Sequence, residues 1–184
     1  RIHRMTQIMD KVSAGAENER VQLAGTDEVA ALAGNFNRML DTLEIQRQAL
    51  LASEADLKGQ KRFLRALIQS IPDLVWLKDP EGVYLLCNPR FEQFFGQPEA
   101  VIIGKTDYDF VPHALAEAFR RNDRAALDAG GPCSNEEEVT FAADGHQEWL
   151  LTIKTPMRDD EGCIIGVLGI GRDMSRVKQA ERAL

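Results

Sequence analysis

The side chains able to perform chemistry are few and far apart. Cys87, Cys133 and Cys163 lie 46 and 30 residues from one another, which is neither a disulfide framework nor a close-spaced metal-ligand pair. His3, His113 and His146 show no metal-ligand spacing with each other or with the cysteines. GIGRDM (Gly169 to Met174) begins like a dinucleotide fingerprint. Met174, however, stands where the third glycine belongs, and only ten residues follow, so no βαβ unit fits. There is no phospho-acceptor histidine motif, no ATP-binding glycine pattern and no cyclase GG(D/E)EF string. The expectation is a segment without a catalytic set. Glu136, Glu137 and Glu138 read as a solvated strand edge, and Arg120, Arg121 and Arg124 lie along one helix, where nearby acids pair with them. One aromatic set remains. Trp76, Phe91, Phe110, Phe119 and Trp149 are able to line a ligand pocket and are equally what a small core needs.

The bulk numbers narrow the partners. A net charge of −7 argues against general nucleic-acid binding, which depends on clustered Lys and Arg. Three scattered cysteines fit a reducing, cytosolic compartment. No run of 18 apolar residues occurs, so no membrane-spanning helix is expected. The chain begins at Arg1 inside a helical pattern with no initiator Met, which reads as a segment of something longer.

The elements fall into two halves of different period. Residues 1–71 contain no proline. From Val29, steps of 3 and 4 reach Leu32, Phe36, Met39, Leu43, Gln46, Leu50, Ser53, Leu57, Gln60, Leu64, Leu67 and Ile71. Ten of these 13 positions are apolar, against about six expected at 44% hydrophobic composition, and such a seam predicts a coiled coil. One column is wholly apolar, whereas the other softens at Gln46, Ser53 and Gln60, as suits a stretch that rotates or loosens or a helix only half buried there. A shorter stripe (Ile2, Met5, Met9, Val12) precedes a connector from Ser13 to Thr26 broken by Gly15 and Gly25. Thr26 fits an N-cap, with Asp27 and Glu28 in the first turn, where the helix dipole favours negative charge. Two such helices cannot bury their stripes alone, and a dimer closes a four-helix bundle.

Gly15, the pair Val21 and Leu23, the acidic pair Asp27–Glu28, and Phe36-Asn37-Arg38-Met39 together resemble the HAMP domain of bacterial membrane receptors. The proline usual early in that family's first helix is absent. The resemblance implies a module relaying motion from a transmembrane helix.

From Pro72 the period becomes that of strands. LVWLK (Leu74 to Lys78) and VYLLC (Val83 to Cys87) flank an Asp79-Pro80-Glu81-Gly82 turn and predict a hairpin. Asn88-Pro89 opens a short helix carrying Phe91, Phe94 and Phe95, with Gly96 as its C-cap. A longer helix over 113–129 buries Leu115, Ala118, Phe119, Ala126 and Leu127 and ends at Gly130-Gly131-Pro132. Strands follow near 135–142, 146–156 and 163–172. The strings WLKDPEGVYLLCNPRFEQFFG, IIGKTDYDF and GVLGIGRDMSRVKQAE resemble the PAS domain, with Asp173 and Ser175 as an Asp-x-Ser form of its exit signal. Physically, either residue is able to cap the outgoing helix.

The resemblance also weighs cofactors. In light-sensing relatives a flavin-reactive cysteine sits where this chain has Asp107, and no thiol means no adduct. Haem-binding relatives carry a histidine on the long helix, and residues 114–127 have none. Haem and flavin are therefore not expected, and an unidentified small ligand stays open.

The sequence thus reads as an α+β chain. A HAMP domain (1–45) and a coiled-coil linker (46–71) lead to a PAS domain (72–175), a five-stranded antiparallel sheet with flanking helices. The start of an exit helix (176–184) follows. The function expected is signal relay as a homodimer through a parallel coiled coil, carried by Asp27, Glu28, Phe36, Met39, Leu43, Leu50, Asp173 and Ser175. The alternative is a structural dimerisation module whose core is filled by side chains. The expected setting is the cytoplasmic side of a bacterial inner membrane, reached only through an upstream transmembrane helix, with no nucleic-acid partner. SRVKQAERAL resembles linkers before both histidine kinases and cyclic-di-GMP enzymes, leaning to the latter. If Leu43 and Leu50 hold the seam, changing both to Asp yields monomers by light scattering; a persisting dimer contradicts the coiled coil or assigns the contact to the PAS domain.

Overall fold

The computed structural model describes residues 6–7, 10–11, 20–22 and 28–182. Two compact units divide between Phe63 and Leu64. Of the first predicted stripe and connector, Ile2, Met5, Met9, Val12, Gly15, Leu23, Gly25, Thr26 and Asp27 lie outside the described residues.

Helix α1 (Glu28–Ser70) runs 43 residues, those to Phe63 in the first unit, and carries Glu28 in its first turn. Val29, Ala33, Phe36 and Leu40, spaced 4, 3 and 4, form its inward face. Ala33 and Leu40 are buried, and Val29 and Phe36 pack against Val21 and Ala33. Asn37 clasps the connector: its amide donates to the Val21 carbonyl and accepts from the Val21 N–H, both at 2.9 Å. Arg20 adds an ion pair to Asp41 at 2.8 Å. The predicted seam thus splits. Val29 and Phe36 serve the connector, whereas Leu32, Met39, Leu43, Leu50, Leu57, Leu64 and Leu67 are exposed. The first heptads place their apolar residues on two adjacent stripes, and only one has a local partner among the described residues.

The second unit opens with β1 (Leu74–Lys78) and β2 (Tyr84–Cys87). Short helices α2 (Pro89–Phe95) and α3 (Glu99–Ile102) lead to a 3-10 turn, Asp107–Asp109. Helix α4 (His113–Ala129) follows, then β3 (Cys133–Thr140), β4 (Gln147–Arg158), β5 (Ile164–Asp173) and helix α5 (Ser175–Arg182). The strands form one antiparallel sheet in the order β2-β1-β5-β4-β3. Breakers stand where turn chemistry wants them: Gly82, Gly96 and Gly130 have φ of 95°, 66° and 66°. The core lies between the inner sheet face and the helices. Phe91 is its hub, with ring centroids 5.0 Å from Trp76, 5.4 Å from Tyr84 and 4.9 Å from Phe95. At the β3–β4 hairpin, buried Glu148 accepts from Arg90 and lies 2.9 Å from His146 Nε2.

Helix α4 departs from its predicted face. Ala116, Phe119, Asp123 and Ala126 are buried, and Leu115 is exposed. The spacing 3, 4, 3 was present, but an aspartate sits in it.

Asn88 ties the first hairpin together. Fully buried, its side chain accepts from the N–H of Val75 (3.0 Å) and Phe91 (3.1 Å) and donates to the carbonyls of Ile71 (3.0 Å) and Asp73 (2.8 Å). It caps α2 and replaces ladder bonds that β1 lacks there. Asn88→Ala removes the side-chain partner of four backbone groups, of which the Val75 and Phe91 N–H groups are buried. Its urea unfolding free energy falls by about 3 kcal/mol or more, with α2 the first element to lose amide-exchange protection. A loss under about 1 kcal/mol contradicts that role.

Candidate functional site

Strand alternation sets two lysines inside the second unit. On β1, Leu74, Trp76 and Lys78 share the inner face, and on β4 Leu150, Thr152 and Lys154 do. Lys78 and Lys154 are only 1% and 2% exposed, a placement that an ammonium tolerates only when paired. The helical layer supplies the partners. Asp123 projects from the buried face of α4, and Asp107 is fully buried in the 3-10 turn. That turn is locked by Asp109, whose Oδ2 accepts from the Thr106 N–H (2.8 Å) and hydroxyl (3.0 Å).

The four charges interlock. Lys78 Nζ lies 2.6 Å from Asp107 Oδ2 and 3.0 Å from Asp123 Oδ2. Lys154 Nζ lies 2.5 Å from Asp123 Oδ1 and donates to the Phe119 carbonyl at 3.0 Å. The Tyr84 hydroxyl donates to Asp107 Oδ1 at 2.6 Å. Two ammoniums thus meet two carboxylates, with every carboxylate oxygen occupied, and the Arg120 guanidinium stands 3.9 Å from Asp123 Oδ2 as a third cation. Burial opposes ionisation of Asp123, but Lys78 and Lys154 outweigh it and hold the carboxyl below its ordinary range. Burial pulls the Lys154 ammonium below its ordinary value, with Asp123 pushing the other way. Burial, reinforced by Asp107, raises the Tyr84 phenol well above its usual value, so it stays a donor.

Beside the quartet a cavity opens, walled by Trp76, Phe91, Phe94, Phe119, Val139 and Leu150, with Thr152 and Glu137 as further polar groups. Its space free of atoms is about 340 Å³, mouth included, of which about 20 Å³ admits the centre of a water molecule. The floor is glycine. A Cβ on Gly169 would stand 2.1 Å from the Trp76 indole, so only glycine lets that ring lie on β5.

Of the five aromatic residues expected at a pocket, Trp76, Phe91 and Phe119 line this cavity. Phe110 instead stacks on Phe95, centroids 4.7 Å apart, and is not part of the lining. Trp149 stands on the opposite face of the sheet, because Leu150 takes the inward phase of β4. There it holds the exit helix. Its carbonyl accepts from the Met174 N–H (2.7 Å), its N–H donates to Ser175 Oγ (3.0 Å), and the Lys178 and Arg182 cations lie 5.9 and 5.7 Å from its ring. Asp173 Oδ1 accepts from the Ser175 N–H at 2.8 Å, a cap on α5. The glutamate run is not uniformly solvated. Glu136 pairs with Lys178 at 2.7 Å, while Glu137 turns inward and accepts from Thr152 at 2.9 Å. On α1, Glu28 starts the helix, Phe36 is half-buried, and Met39, Leu43 and Leu50 are 51%, 53% and 61% exposed. Asp27 lies outside the described residues.

Lys78, Asp123 and Lys154 escaped the sequence reading, and Asp107 entered it only as a position lacking a thiol. The signal was there: a lysine in the inward phase of two strands and an aspartate in the inward phase of a helix. Burial, with Glu99 and Glu92 nearby, pushes the Cys87 thiol up to about 12, which leaves it unreactive. Among the described residues no group of three or more side chains is placed to hold a metal, and no helix is long and apolar enough to cross a membrane.

Asp123 anchors both lysines, so Asp123→Asn leaves Lys154 without its bonded carboxylate and Lys78 with Asp107 alone, and lowers unfolding free energy by roughly 3–5 kcal/mol at pH 7. Because the folded carboxyl titrates low, its contribution is present above the unfolded value of about 3.9 and lost as pH falls through the folded one. The variant's urea stability therefore falls less steeply below about pH 4. An unchanged acid limb would remove Asp123 from that role.

Residues 68–179 match the PAS fold and residues 1–45 the HAMP domain. The chain is 34% identical over 164 residues to the methanogenesis regulatory histidine kinase FilI of Methanothrix harundinacea, covering 89% of this chain and 18% of that protein. The chain thus spans under a fifth of that curated relative's length. Among solved structures, the PAS domain of Bordetella pertussis BvgS aligns with a TM-score of 0.52 and 26% identity, over 71% of this chain and 96% of that one. A VqmA–ligand–DNA complex from Vibrio cholera aligns at 0.55 and 27%, over 59% and 49%. Fold, sheet order and these matches agree: the chain belongs to the PAS-fold family, with a HAMP domain ahead of the PAS domain, and is a signal-transduction segment.

Proposed function

We propose that this chain is a dimeric relay whose PAS cavity senses a small molecule. Two copies pair in parallel along α1, and the PAS domain biases the exit helix α5. The observation that carries the reading is the exposed stripe Leu32, Met39, Leu43, Leu50, Leu57, Leu64 and Leu67 at steps of 3, 4 and 7 residues. Such a stripe at coiled-coil spacing is stable only against a second one. Asn37 and the Arg20–Asp41 pair support the relay, since they fix the connector against the same helix whose other side is uncovered among the described residues. The VqmA relative, solved with a ligand, supports the sensory half. With FilI named a histidine kinase, the effector proposed is of that class rather than a cyclic-di-GMP enzyme, and the setting is the cytoplasmic side of a membrane. The segment itself contributes no catalytic step in this reading, and a cavity of this size calls for neither haem nor flavin.

The tightness of the cavity favours the rival reading, a dimerisation module with a core filled by side chains. Both require the dimer. In a background with Cys87, Cys133 and Cys163 changed to Ser, Leu50→Cys cross-links between copies under mild oxidation, whereas Ala52→Cys, on the far side of the helix, does not. Equal cross-linking at both positions, or none at Leu50, defeats the parallel pairing.

A further inference from the structure

We propose that the tip of the β3–β4 hairpin is a proton-operated latch, closed on α2 while His146 is charged and loosened, with α5 behind it, when His146 is neutral. The latch goes beyond the relay reading, and only its readout at α5 rests on that reading. It follows from what the imidazole faces. Its Nδ1 meets Asp144 Oδ1, and its Nε2 lies 2.9 Å from Glu148 Oε1. An ionised carboxylate only accepts, so both contacts are hydrogen bonds only when both ring nitrogens carry a proton. A neutral ring donates to one carboxylate and turns a lone pair on the other. The same Glu148 oxygen also accepts from Arg90 of α2.

Charge balance hinges on that proton. Arg90 and His146 offset Asp144 and Glu148, with Asp173 on β5 as a further acid that feels Arg90. Glu92, the other charge on α2, is turned to the Glu99 N–H. The Glu148 side chain is 9% exposed, and among the described residues its Oε2 has no hydrogen-bond partner. A buried carboxylate held through one oxygen is sensitive to the loss of either cation. The ring is also part of the packing. Its centroid is 4.3 Å from that of the fully buried Phe141, which meets Phe94 of α2 at 5.6 Å. The tip backbone follows: the Phe141 N–H donates to the His146 carbonyl, and those of Ala142 and Ala143 donate to Phe94 and Gln93 of α2. Glu148 adjoins Trp149, whose carbonyl holds the Met174 N–H just ahead of α5. Bonds to Asp144 first and Glu148 second hold the imidazole above its ordinary value, and the same ring holds Asp144 below its own. Stability from the charged ring is therefore full below about pH 6.5 and lost as pH rises through the folded value.

Imidazole NMR and amide exchange on the whole 184-residue chain test the latch, with the His146 resonances assigned through His146→Gln. His146 titrates with a midpoint above about 6.5, and both its ring nitrogens are protonated at the acid end. Between about pH 6 and 8.5, exchange protection of the Phe141 and Ala142 amides, corrected for intrinsic rates, falls about two- to fivefold. Protection of the Met174 amide falls with it. His146→Gln removes the pH step at both places. Asp144→Asn, at an exposed position, keeps the ring and brings its midpoint down, so it carries the test even if the glutamine variant unfolds. A midpoint at or below the ordinary value, or one that Asp144→Asn leaves in place, overturns the latch. A protection step that survives His146→Gln belongs to another group and overturns it too. Loosening of the tip with Met174 unmoved overturns the coupling to α5. None of these readouts needs pairing along α1, so a monomeric chain defeats the relay and not the latch.

Discussion

The second unit depends on one carboxylate that holds two lysines. Asp123 stands on the helical layer, Lys78 and Lys154 on the sheet, and the three meet with almost no exposure to water. A buried ion pair rarely adds much net stability, because desolvation offsets the attraction. Its effect is directional. Apolar contacts between α4 and the sheet would tolerate a sliding helix, but two lysines converging on the two oxygens of one aspartate do not. Asp107 and Tyr84 extend the same constraint to the 3-10 turn, so that two separate pieces of the helical layer are indexed to the sheet.

In the proposed relay, that indexing places the sheet between input and output. Strand β4 carries Thr152 and Lys154 into the cavity and Trp149 out toward α5. Contents of the cavity and position of the exit helix are therefore read by alternate residues of one strand. A ligand biases the output only as far as it prefers one arrangement of that strand over another. Hydrogen bonds from the backbone of residue 149 to Met174 and Ser175 make the linkage stiff at the exit, and the long-range cation contacts of Lys178 and Arg182 make it softer further out.

Much of this could be read from residue order, and the exceptions share one cause. The hairpin turn at Gly82, the aromatic helix after Asn88, the α4 boundaries and the five strands follow from apolar period and turn chemistry, which are local. The quartet is not local. Lys78 and Lys154 come from strands far apart in the chain, and each alone looks like an ordinary surface lysine of a strand. Asp123 looked like one charge among the neighbouring arginines. Glu137 was lost in a run of three glutamates, although alternation sends it to the opposite face from Glu136 and Glu138. Trp149 was misplaced for the opposite reason: a tryptophan is taken for core, yet the phase of β4 is set by Leu150 and Thr152. In α1 the seam was legible, but its division between the connector and the uncovered side depends on Val21 and Asn37 meeting across sequence.

The glycines of β5 have an evolutionary consequence. Gly169 and Gly171 face inward on the central strand, directly beneath Trp76. Any heavier residue at Gly169 drives the indole upward into the cavity. Mutation at the floor therefore runs in one direction, toward a smaller chamber, because glycine has no side chain left to lose. Diversity in what this chamber accepts has to arise from its walls, and chiefly from the few residues beside the quartet whose replacement does not leave a buried charge alone.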